Sequence, residues 1–304
     1  MKKFPDKTVI IVVGPTAVGK TKLAIELARN FNTEIISADS RQCFKELNIG
    51  VARPSAKELQ QVKHHFIASH SIHEEVNAAC FENYAFKKTT ELFQTHDAVI
   101  MAGGTGLYIK AFCDGLDEIP GIETGIRKAI VTDYNNNGIQ WLQGQIKKHD
   151  PGYNITGEIE NPQRMMRALE VKLSTGRSIL EFQKKKKIER DFNIIKLGLE
   201  MAKEELHRNI NARVDKMIED GLINEVKALL PYKKLNALQT VGYNEIFNYL
   251  DGQVSLAGAI ERIKINTRQY AKRQMTWFKK DKEIQWFAPM QLNQMIEFVL
   301  ANNS

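Results

Sequence analysis

The 304-residue chain has few cysteines and no long apolar segment. Its three cysteines, Cys43, Cys80 and Cys113, are too few and too scattered for a disulfide framework or a cysteine-based zinc site, which indicates a reducing compartment. No apolar run approaches the roughly 18–20 residues of a membrane span, and the N-terminus leads into a strand-like stretch rather than a signal-peptide core. We therefore expect a cytoplasmic protein that does not bind a membrane.

The composition is that of a folded globular chain. Hydrophobic residues make up 43% and charged residues 26%, which excludes a disordered or collagen-like protein. The length exceeds that of most single domains, so we expect one large domain or two unequal ones.

The first part of the chain alternates strand and helix patterns. A continuous β-branched run at 8–13 precedes a glycine loop and a helical pattern, as in a buried parallel strand of an α/β sheet. Further strands are predicted at 34–37, 97–102 and 192–199, and helix over 56–95. These elements predict a three-layer α/β core.

The pattern changes after residue 116. Residues 123–189 lack strand-like runs and predict short helices separated by breaks at 135–138 and 150–152. One of these helices should begin at Asn161-Pro162, with Asn as the N-cap, and end at Gly176. We predict two domains, a core of 1–116 plus 190–304 whose C-terminal region is mostly helical, and a helical insertion of 117–189.

A phosphate-binding motif follows the first strand. Residues 14–21, GPTAVGKT, fit G-x-x-x-x-G-K-[ST] between a strand and a helix, the motif of nucleotide-binding P-loop proteins. The backbone N–H groups of such a loop cradle a phosphate chain, Lys20 supplies a charge, and the Thr21 hydroxyl can ligate Mg²⁺. The fold class is therefore α/β with a P-loop NTPase-like parallel sheet, although the motif indicates a diphosphate rather than a nucleotide.

The metal-binding aspartate of ordinary P-loop NTPases is missing. The strand at 97–102 ends in Gly103-Gly104-Thr105-Gly106 without a carboxylate, whereas Asp39 follows the second strand. Because ligands bind at the carboxyl ends of parallel strands, Asp39, Thr105 and the phosphate loop should converge. Asp39 is a candidate catalytic carboxylate, and the alternative is an ordinary helix N-cap.

Arg213 is a second unusual residue. In the helix predicted from 203 to 219 it lies within the apolar stripe formed by Leu206, Ile210, Val214 and Met217. A desolvated guanidinium needs an anion. That anion is either a ligand or a carboxylate of the protein core.

Basic residues are concentrated late in the chain. The net charge is +7, and residues 261–282 hold eight basic and two acidic residues. In a helix over 256–280, one face is formed by Ile260, Ile263, Thr267, Ala271, Gln274 and Phe278. Beside it, four cations project within an arc of about 80° with no acid between them, as suits a phosphate backbone: Lys264, Arg268, Lys272 and Lys279.

Other charged groups are weaker candidates. Arg164 with Arg167, and the lysines of 184–187, add two smaller basic patches that support an RNA partner. Four histidines between residues 64 and 73 have no cysteine or carboxylate that completes a metal spacing, so we interpret them as structural.

Seven motifs in this order resemble the tRNA dimethylallyltransferases, also called tRNA isopentenyltransferases. They are GPTAVGKT, SADSRQ, HHFI, GGTGLY, NPQRMMRALEV-x3-TGR, QTVGYNE and NTRQYAKRQMTWF, and they span about residues 8–287. The resemblance implies transfer of a dimethylallyl group from dimethylallyl diphosphate to N6 of adenine 37, beside the anticodon, in tRNAs that read codons beginning with U. It also implies Mg²⁺, the anticodon stem-loop as partner and a bacterial-type enzyme, and we expect a monomer.

The resemblance also assigns residues. Asp39 would be the general base, with Thr105 and Arg213 acting on the diphosphate, and Thr21 would hold the metal. The diphosphate would bind Gly14, Thr16, Ala17, Val18, Gly19, Lys20 and Thr21. The tRNA would contact Asp39, Ser40, Arg41, Gln42, Thr105, Arg127, Gln163, Arg164, Met165, Met166, Arg167, Gln239, Thr240, Val241, Gly242, Tyr243, Asn244, Lys272, Arg273, Gln274, Met275, Thr276, Trp277, Phe278 and Lys279. Where many members have Arg or Lys, this chain has Asn244, which affects one phosphate contact.

Three other functions use part of the same sequence. A kinase would use the phosphate loop for ATP, an adenylate isopentenyltransferase would act on free AMP, and an RNA-binding protein would carry a vestigial loop. The basic helix argues against the kinase, and the 117–189 insertion argues against the AMP enzyme. The intact Lys20 and Thr21 argue against the vestigial loop.

Overall fold

A computed structural model describes residues 6–183 and 187–303. The chain forms two compact units, one of Met1–Cys113 with Glu189–Ser304 and the other of Asp114–Ile188. In the described part of the chain, no helix combines the length and apolar character that a bilayer span requires.

A parallel sheet of six strands forms the centre of the first unit, within the described residues. The strands are β1 Thr8–Val13, β2 Ile35–Ser37, β3 His64–His65, β4 Ala98–Ala102, β5 Asn193–Leu199 and β6 Ile284–Phe287. Their order is β3-β2-β4-β1-β5-β6, and Val9 of the central β1 pairs with Val99 and Ile194.

Thirteen α-helices occur in the same described ranges. They are α1 Lys20–Asn30, α2 Ala56–Gln61, α3 Ala78–Leu92, α4 Gly106–Asp114, α5 Thr124–His149, α6 Pro151–Thr156, α7 Pro162–Thr175, α8 Ile179–Phe182, α9 Lys203–Glu219, α10 Leu222–Ala228, α11 Tyr243–Leu250, α12 Leu256–Phe278 and α13 Leu292–Ala301. Two short 3₁₀ turns, Leu230–Tyr232 and Asn236–Leu238, separate α10 from α11.

The central strand is buried on both faces. Val9, Ile11 and Val13 belong to one apolar cluster, whereas Ile10 and Val12 belong to another. Alternate residues of a strand point to opposite faces, so an uninterrupted apolar run marks a strand that is covered on both sides. This explains why the run at 8–13 could be identified as a parallel strand from sequence.

The prediction of helix over 56–95 is wrong in its middle. Helix α2 ends at Gln61, β3 pairs with β2, and α3 begins at Ala78. Phe66 and Ala68 have φ angles of 60° and 46°. This left-handed backbone is incompatible with a continuous right-handed helix.

The second unit is helical in its described residues, around a core that includes Leu142, Ile146 and Leu169. The predicted break at 135–138 is confirmed at its last residue, because α5 consists of two helical stretches that meet at a kink where Gly138 has φ 74° and ψ −169°. The predicted boundaries of α7 are confirmed. The Asn161 side chain accepts a hydrogen bond from the Arg164 N–H, and Gly176 follows the helix in the left-handed conformation.

Candidate active site

The phosphate loop connects β1 to α1. Gly14 has φ 144°, and a Cβ there would lie 2.7 Å from the Leu199 carbonyl oxygen, so only glycine fits. Gly19 has φ 103° and directly precedes the first residue of α1. The loop therefore presents its amides and a helix N-terminus at the carboxyl end of β1, an arrangement that binds anions.

Lys20 turns back onto this loop. Its Nζ donates hydrogen bonds to the carbonyls of Gly14 at 3.0 Å and Pro15 at 2.8 Å. Burial lowers the pKa of Lys20 to about 7, the nearby Arg213 contributes to the lowering, and Asp39 opposes the shift. The loop thus holds a desolvated amine whose charge a bound anion would stabilise.

Arg213 projects from α9 toward the same loop. It lies next to the buried Val214, and its Nη1 donates to the Thr16 hydroxyl at 3.3 Å. Burial lowers the pKa of the guanidinium, and the charge of Asp39 raises it. Among the described residues no carboxylate forms an ion pair with Arg213, so the alternative of a core salt bridge is wrong and the guanidinium is available to an anionic ligand.

Asp39 follows β2 and caps the turn after it. Its Oδ1 accepts hydrogen bonds from the N–H groups of Arg41 at 2.8 Å and Gln42 at 3.2 Å. Because residues 40–43 form a turn and no helix begins there, Asp39 is not the helix N-cap of the alternative. No hydrogen bond to Oδ2 occurs within the described residues, and Asp39 lines the cavity described below. One oxygen fixes the carboxylate while the other can take part in chemistry.

Thr105 connects the loops that follow β2 and β4. Its hydroxyl accepts a hydrogen bond from the Ser40 N–H at 3.0 Å and lies 3.3 Å from the Ser40 Oγ. Gly103 and Gly104 are among the described residues that line the cavity, but Thr105 is not. The structure therefore places Thr105 on Ser40, beside Asp39, rather than at the phosphate loop.

Gln274 joins the phosphate loop to the glycine turn. This buried residue of α12 accepts a hydrogen bond from the Thr16 N–H at 2.8 Å and donates one to the Gly104 carbonyl at 2.9 Å. A Cβ on Gly104 would overlap the Gln274 amide, and a Cβ on Gly106 would overlap the Trp277 indole. Sequence reasoning assigned Gln274 and Trp277 to tRNA and missed this packing, because the two segments lie about 170 residues apart along the chain.

These groups surround one cavity of about 470 Å³. Polar and charged residues of its wall include Thr16, Lys20, Thr21, Asp39 and Arg213. Its apolar residues include Val51, Ala52, Ile67, Val214, Met217, Val241 and Ile263. The cavity can therefore hold a ligand that has both an anionic and an apolar part.

Three of the four cations in the α12 row have acidic partners. Lys264 pairs with Asp215 at 2.6 Å, and Lys279 pairs with Glu200 at 2.6 Å. Arg268 pairs with Glu261 and donates to Asn211. The inference that no acid lies between these cations was wrong, because Glu261 lies on the same helix and Asp215 and Glu200 approach from outside it. Lys272 and Arg273 are exposed and have no acidic partner among the residues that the structure describes.

Some residues assigned to tRNA have buried side chains instead. Met165 and Met166 belong to the core of the second unit, Phe278 packs in the core of the first, and Tyr243 is fully buried. The structure gives these four side chains packing roles, which corrects the assignment of tRNA contacts to them.

The arginines of the second unit have acidic partners. Arg127 and Arg167 both contact the buried Glu170, at 3.5 and 3.3 Å, and Arg164 pairs with Glu158. Gln163 is exposed at the start of α7. In the predicted lysine patch, residues 184–186 lie outside the described part of the chain, and Lys187 pairs with Asp114.

The remaining candidates have local roles. Gln42 donates to the carbonyls of Val51 and Ala52, and Arg41 donates to that of Asn236. Gln239 donates to Lys233, and the Asn244 N–H donates to Thr240. Thr276 bonds back to Lys272, and Met275 is half-buried.

Each histidine of the 64–73 group contacts another residue of the protein: Val62 for His64, Glu34 for His65, Ser69 for His70 and Tyr232 for His73.

Comparisons with known proteins agree on one family. Residues 42–281 match the family model described as IPP transferase. The tRNA dimethylallyltransferase of Christiangramia forsetii is 49% identical, over 91% of this chain and 92% of its own. The tRNA dimethylallyltransferase 1 of Bacteroides thetaiotaomicron is 42% identical, over 97% and 96%.

Solved structures show the same likeness. The full-length tRNA isopentenylpyrophosphate transferase of Bacillus halodurans has a TM-score of 0.72 and 34% identity, over 98% of this chain and 97% of its own. A eukaryotic dimethylallyltransferase acting on tRNA has a TM-score of 0.78 and 27% identity, over 95% and 75%.

Proposed function

The chain belongs to the IPP transferase family, and from that membership we propose that it transfers a dimethylallyl group from dimethylallyl diphosphate to N6 of adenine 37 in tRNA. The target adenine lies beside the anticodon of tRNAs that read codons beginning with U. The products are N6-(dimethylallyl)adenosine and diphosphate. One observation carries the proposal: the phosphate loop, Asp39 and Arg213 line the same cavity as a set of apolar side chains.

The charged part of the cavity suits the leaving group. In the reaction the allylic C–O bond breaks and its electron pair leaves with the diphosphate. The loop amides, Lys20 and Arg213 stabilise this charge, and they act most strongly where water is excluded. Lys20 changes partners on binding, because its present acceptors are loop carbonyls.

The apolar part of the wall suits the five-carbon group. Val51, Val241 and Ile263 line the cavity together with the diphosphate-binding residues. Aliphatic side chains exclude water from the allylic carbon, which acquires positive charge as the C–O bond breaks. Exclusion of water leaves the adenine amine as the available nucleophile.

Asp39 acts on the adenine. The N6 lone pair is delocalised into the ring, so the amine is a poor nucleophile. As the new C–N bond forms, the amine must lose a proton, and the Asp39 carboxylate accepts it, a role worth about 10²–10⁴-fold in rate. Its two hydrogen bonds to the backbone N–H groups of Arg41 and Gln42 hold the carboxylate in place.

Magnesium fits the donor set. Thr21 lines the cavity, and no cluster of three metal-ligating His, Cys, Asp or Glu side chains occurs in the described part of the chain. A metal held chiefly by diphosphate oxygens and one hydroxyl is typical of Mg²⁺. When bound, the ion would neutralise part of the diphosphate charge.

The tRNA partner requires that the target base leave its stack and enter the cavity, which costs less in an anticodon loop than in a duplex. We assign Lys272 and Arg273 to phosphate contacts, because they are exposed and have no acidic partner within the described residues. We also propose that the enzyme acts as a monomer, in the cytoplasm.

A matched pair of transcripts tests the proposal. The enzyme, Mg²⁺ and labelled dimethylallyl diphosphate are incubated with an unmodified tRNA that reads a UNN codon, or with the same tRNA carrying guanine at position 37. We expect label only in the first transcript. Equal label in both, or none in either, would contradict the proposal, and ATP consumption without label would favour the kinase.

A further inference from the structure

The Glu225 carboxylate of α10 holds a loop that was not recognised from the sequence. It accepts hydrogen bonds from the backbone N–H groups of Asn48 at 3.2 Å, Ile49 at 2.7 Å and Gly50 at 3.0 Å. The Tyr243 hydroxyl donates a fourth hydrogen bond, at 2.6 Å. Four donors converge on one carboxylate, and hydrogen bonds to a charged acceptor are stronger than neutral ones.

The same loop is fixed from its other side. The Arg53 guanidinium donates to the carbonyls of Phe44, Lys45 and Leu47. The Gln42 amide donates to those of Val51 at 3.2 Å and Ala52 at 2.9 Å. Residues 49–52 form a turn, in which the Ala52 N–H donates to the Ile49 carbonyl at 2.9 Å. Side chains from outside the turn satisfy further backbone groups of the loop and hold it in place.

Tyr243 connects this loop to a second one. Its buried ring lies against Gly50, where a Cβ would come within 2.5 Å of the ring. Burial and the nearby Glu225 both raise the pKa of the Tyr243 hydroxyl, which keeps it protonated and able to donate. The residues just before it, 240–242, line the cavity, as do residues 50–52. Glu225 thus bonds to Gly50 of one wall segment and to Tyr243, the residue that follows the other, while lying outside the cavity lining.

We propose that Glu225 is a positioning residue that fixes the wall formed by residues 50–52 and 240–242 around the prenyl group of the donor. The inference rests on the proposed function. The phosphate loop lies on different elements, after β1 and on α1, and makes no hydrogen bond with Glu225 among the described residues. Loss of the carboxylate should therefore weaken binding of the prenyl diphosphate more than binding of diphosphate alone.

The experiment compares Glu225→Gln with Glu219→Gln. The control removes an exposed carboxylate whose partner is the surface residue Lys216. For each variant, KM for dimethylallyl diphosphate is measured in the tRNA assay, and Kd for inorganic pyrophosphate by calorimetry. For Glu225→Gln we expect KM to rise about tenfold or more, since the charged acceptor is removed. The pyrophosphate Kd should change less than about twofold, and the control should match the wild type in both.

A conservative variant and a smaller truncation complete the test. Glu225→Asp keeps the charge and should give an intermediate KM. Tyr243→Phe removes one donor, keeps the ring, and should raise KM less than Glu225→Gln while folding normally.

The outcomes separate the positioning role from general damage and from failure of the proposed function. Equal rises in the KM and the pyrophosphate Kd would show general structural damage and overturn the positioning role. An unchanged KM in an active Glu225→Gln enzyme would overturn it as well. Absence of transfer by the wild type would instead overturn the proposed function.

Discussion

At the scale of single residues, Asp39 combines two tasks in one carboxylate. Oδ1 caps the turn at Arg41 and Gln42, while no hydrogen bond engages Oδ2 in the described structure. An alanine at this position would remove the cap together with the base. Asparagine keeps an acceptor oxygen for the cap and removes only the capacity to take a proton.

We therefore expect Asp39→Asn to lower kcat by about 10²–10⁴-fold, since the general base is removed. Affinity for tRNA should stay within a few-fold of wild type, and the melting temperature should change little. Single-turnover rates and filter binding measure the two effects. A wild-type rate in the variant would remove Asp39 as the base.

The lowered pKa of Lys20 predicts that the protein takes up a proton when diphosphate binds. In the free protein its pKa is about 7, so at about pH 8 the amine is mostly neutral. A bound diphosphate favours the ammonium form and raises the pKa, so binding at this pH takes up roughly one proton. Because diphosphate favours the protonated amine, the affinity for diphosphate should fall as the pH rises from 7 toward the usual lysine pKa of 10.5.

Calorimetry in two buffers of different ionisation enthalpy measures this uptake for pyrophosphate. Lys20→Arg is the control, because a guanidinium stays charged throughout this range and should take up no proton from this site. Equal uptake by both proteins would place the titrating group elsewhere.

Arg213 shows how far single residues could be interpreted from sequence. The helical spacing correctly placed the guanidinium within a buried stripe, but spacing within one helix cannot show which groups face it. The choice between a ligand and a core carboxylate needed the position of Thr16, which lies 197 residues away along the chain.

At the scale of elements, the turn after β4 fits closely against its neighbours. A Cβ on Gly103 would overlap the Ala38 carbonyl, which belongs to backbone and cannot rotate away. In contrast, a Cβ on Gly144 in α5 would meet nothing within 4 Å. Gly103 and Gly144 therefore form a matched pair of sites for alanine substitution, one crowded and one open.

We expect Gly103→Ala to lower the free energy of unfolding by about 1–3 kcal/mol, through overpacking at the junction of the β2 and β4 loops. Gly144→Ala should leave it unchanged or raise it by up to about 1 kcal/mol, because alanine favours the helix. Urea denaturation of both variants measures the difference. Equal stability of the two would contradict the close fit.

The ion pairs of α12 indicate which of its cations are available to tRNA. Replacing Lys272 and Arg273 by glutamine should flatten the plot of log affinity against log salt by about one unit for each phosphate that is no longer neutralised. Lys264→Gln is the control on the same helix, since Lys264 already pairs with Asp215 and its replacement should leave the slope unchanged.

Filter binding over a salt series gives the slopes. An unaltered slope in the double variant would place the tRNA phosphates on another surface. A flatter slope in the Lys264→Gln control would mean that its ion pair opens when tRNA binds.

Elements were predictable where local signals were strong. Strand β1 has a continuous apolar run, and α7 has an Asn cap, a first-turn proline and a terminal glycine. These signals lie within or next to the element itself, and both elements form as expected. The two-residue strand β3 has no periodicity to detect and exists through pairing with β2. The break predicted at 135–138 occurs at its glycine, because Gly138 adopts a backbone conformation outside the helical region, whereas the asparagines before it remain helical.

At the scale of the whole molecule, the order of motifs along the chain contains more information than any one of them. The phosphate loop alone fits a kinase, and three of the four cations in the α12 row are paired with acids. The combination of motifs nevertheless identified the family. Several of these motifs are far apart along the chain, yet they contribute residues to one cavity at the sheet edge. Glu225 was missed, since most of its partners are backbone amides and sequence patterns do not reveal them.

The acceptor of the dimethylallyl group decides between transfer to tRNA and transfer to a free nucleotide. Enzyme, Mg²⁺ and labelled dimethylallyl diphosphate are supplied with an unmodified tRNA that reads a UNN codon and, separately, with AMP. We expect label in the tRNA alone, located by nuclease digestion and mass spectrometry at N6 of the adenine beside the anticodon. Label in AMP, or in neither acceptor, would contradict transfer to tRNA.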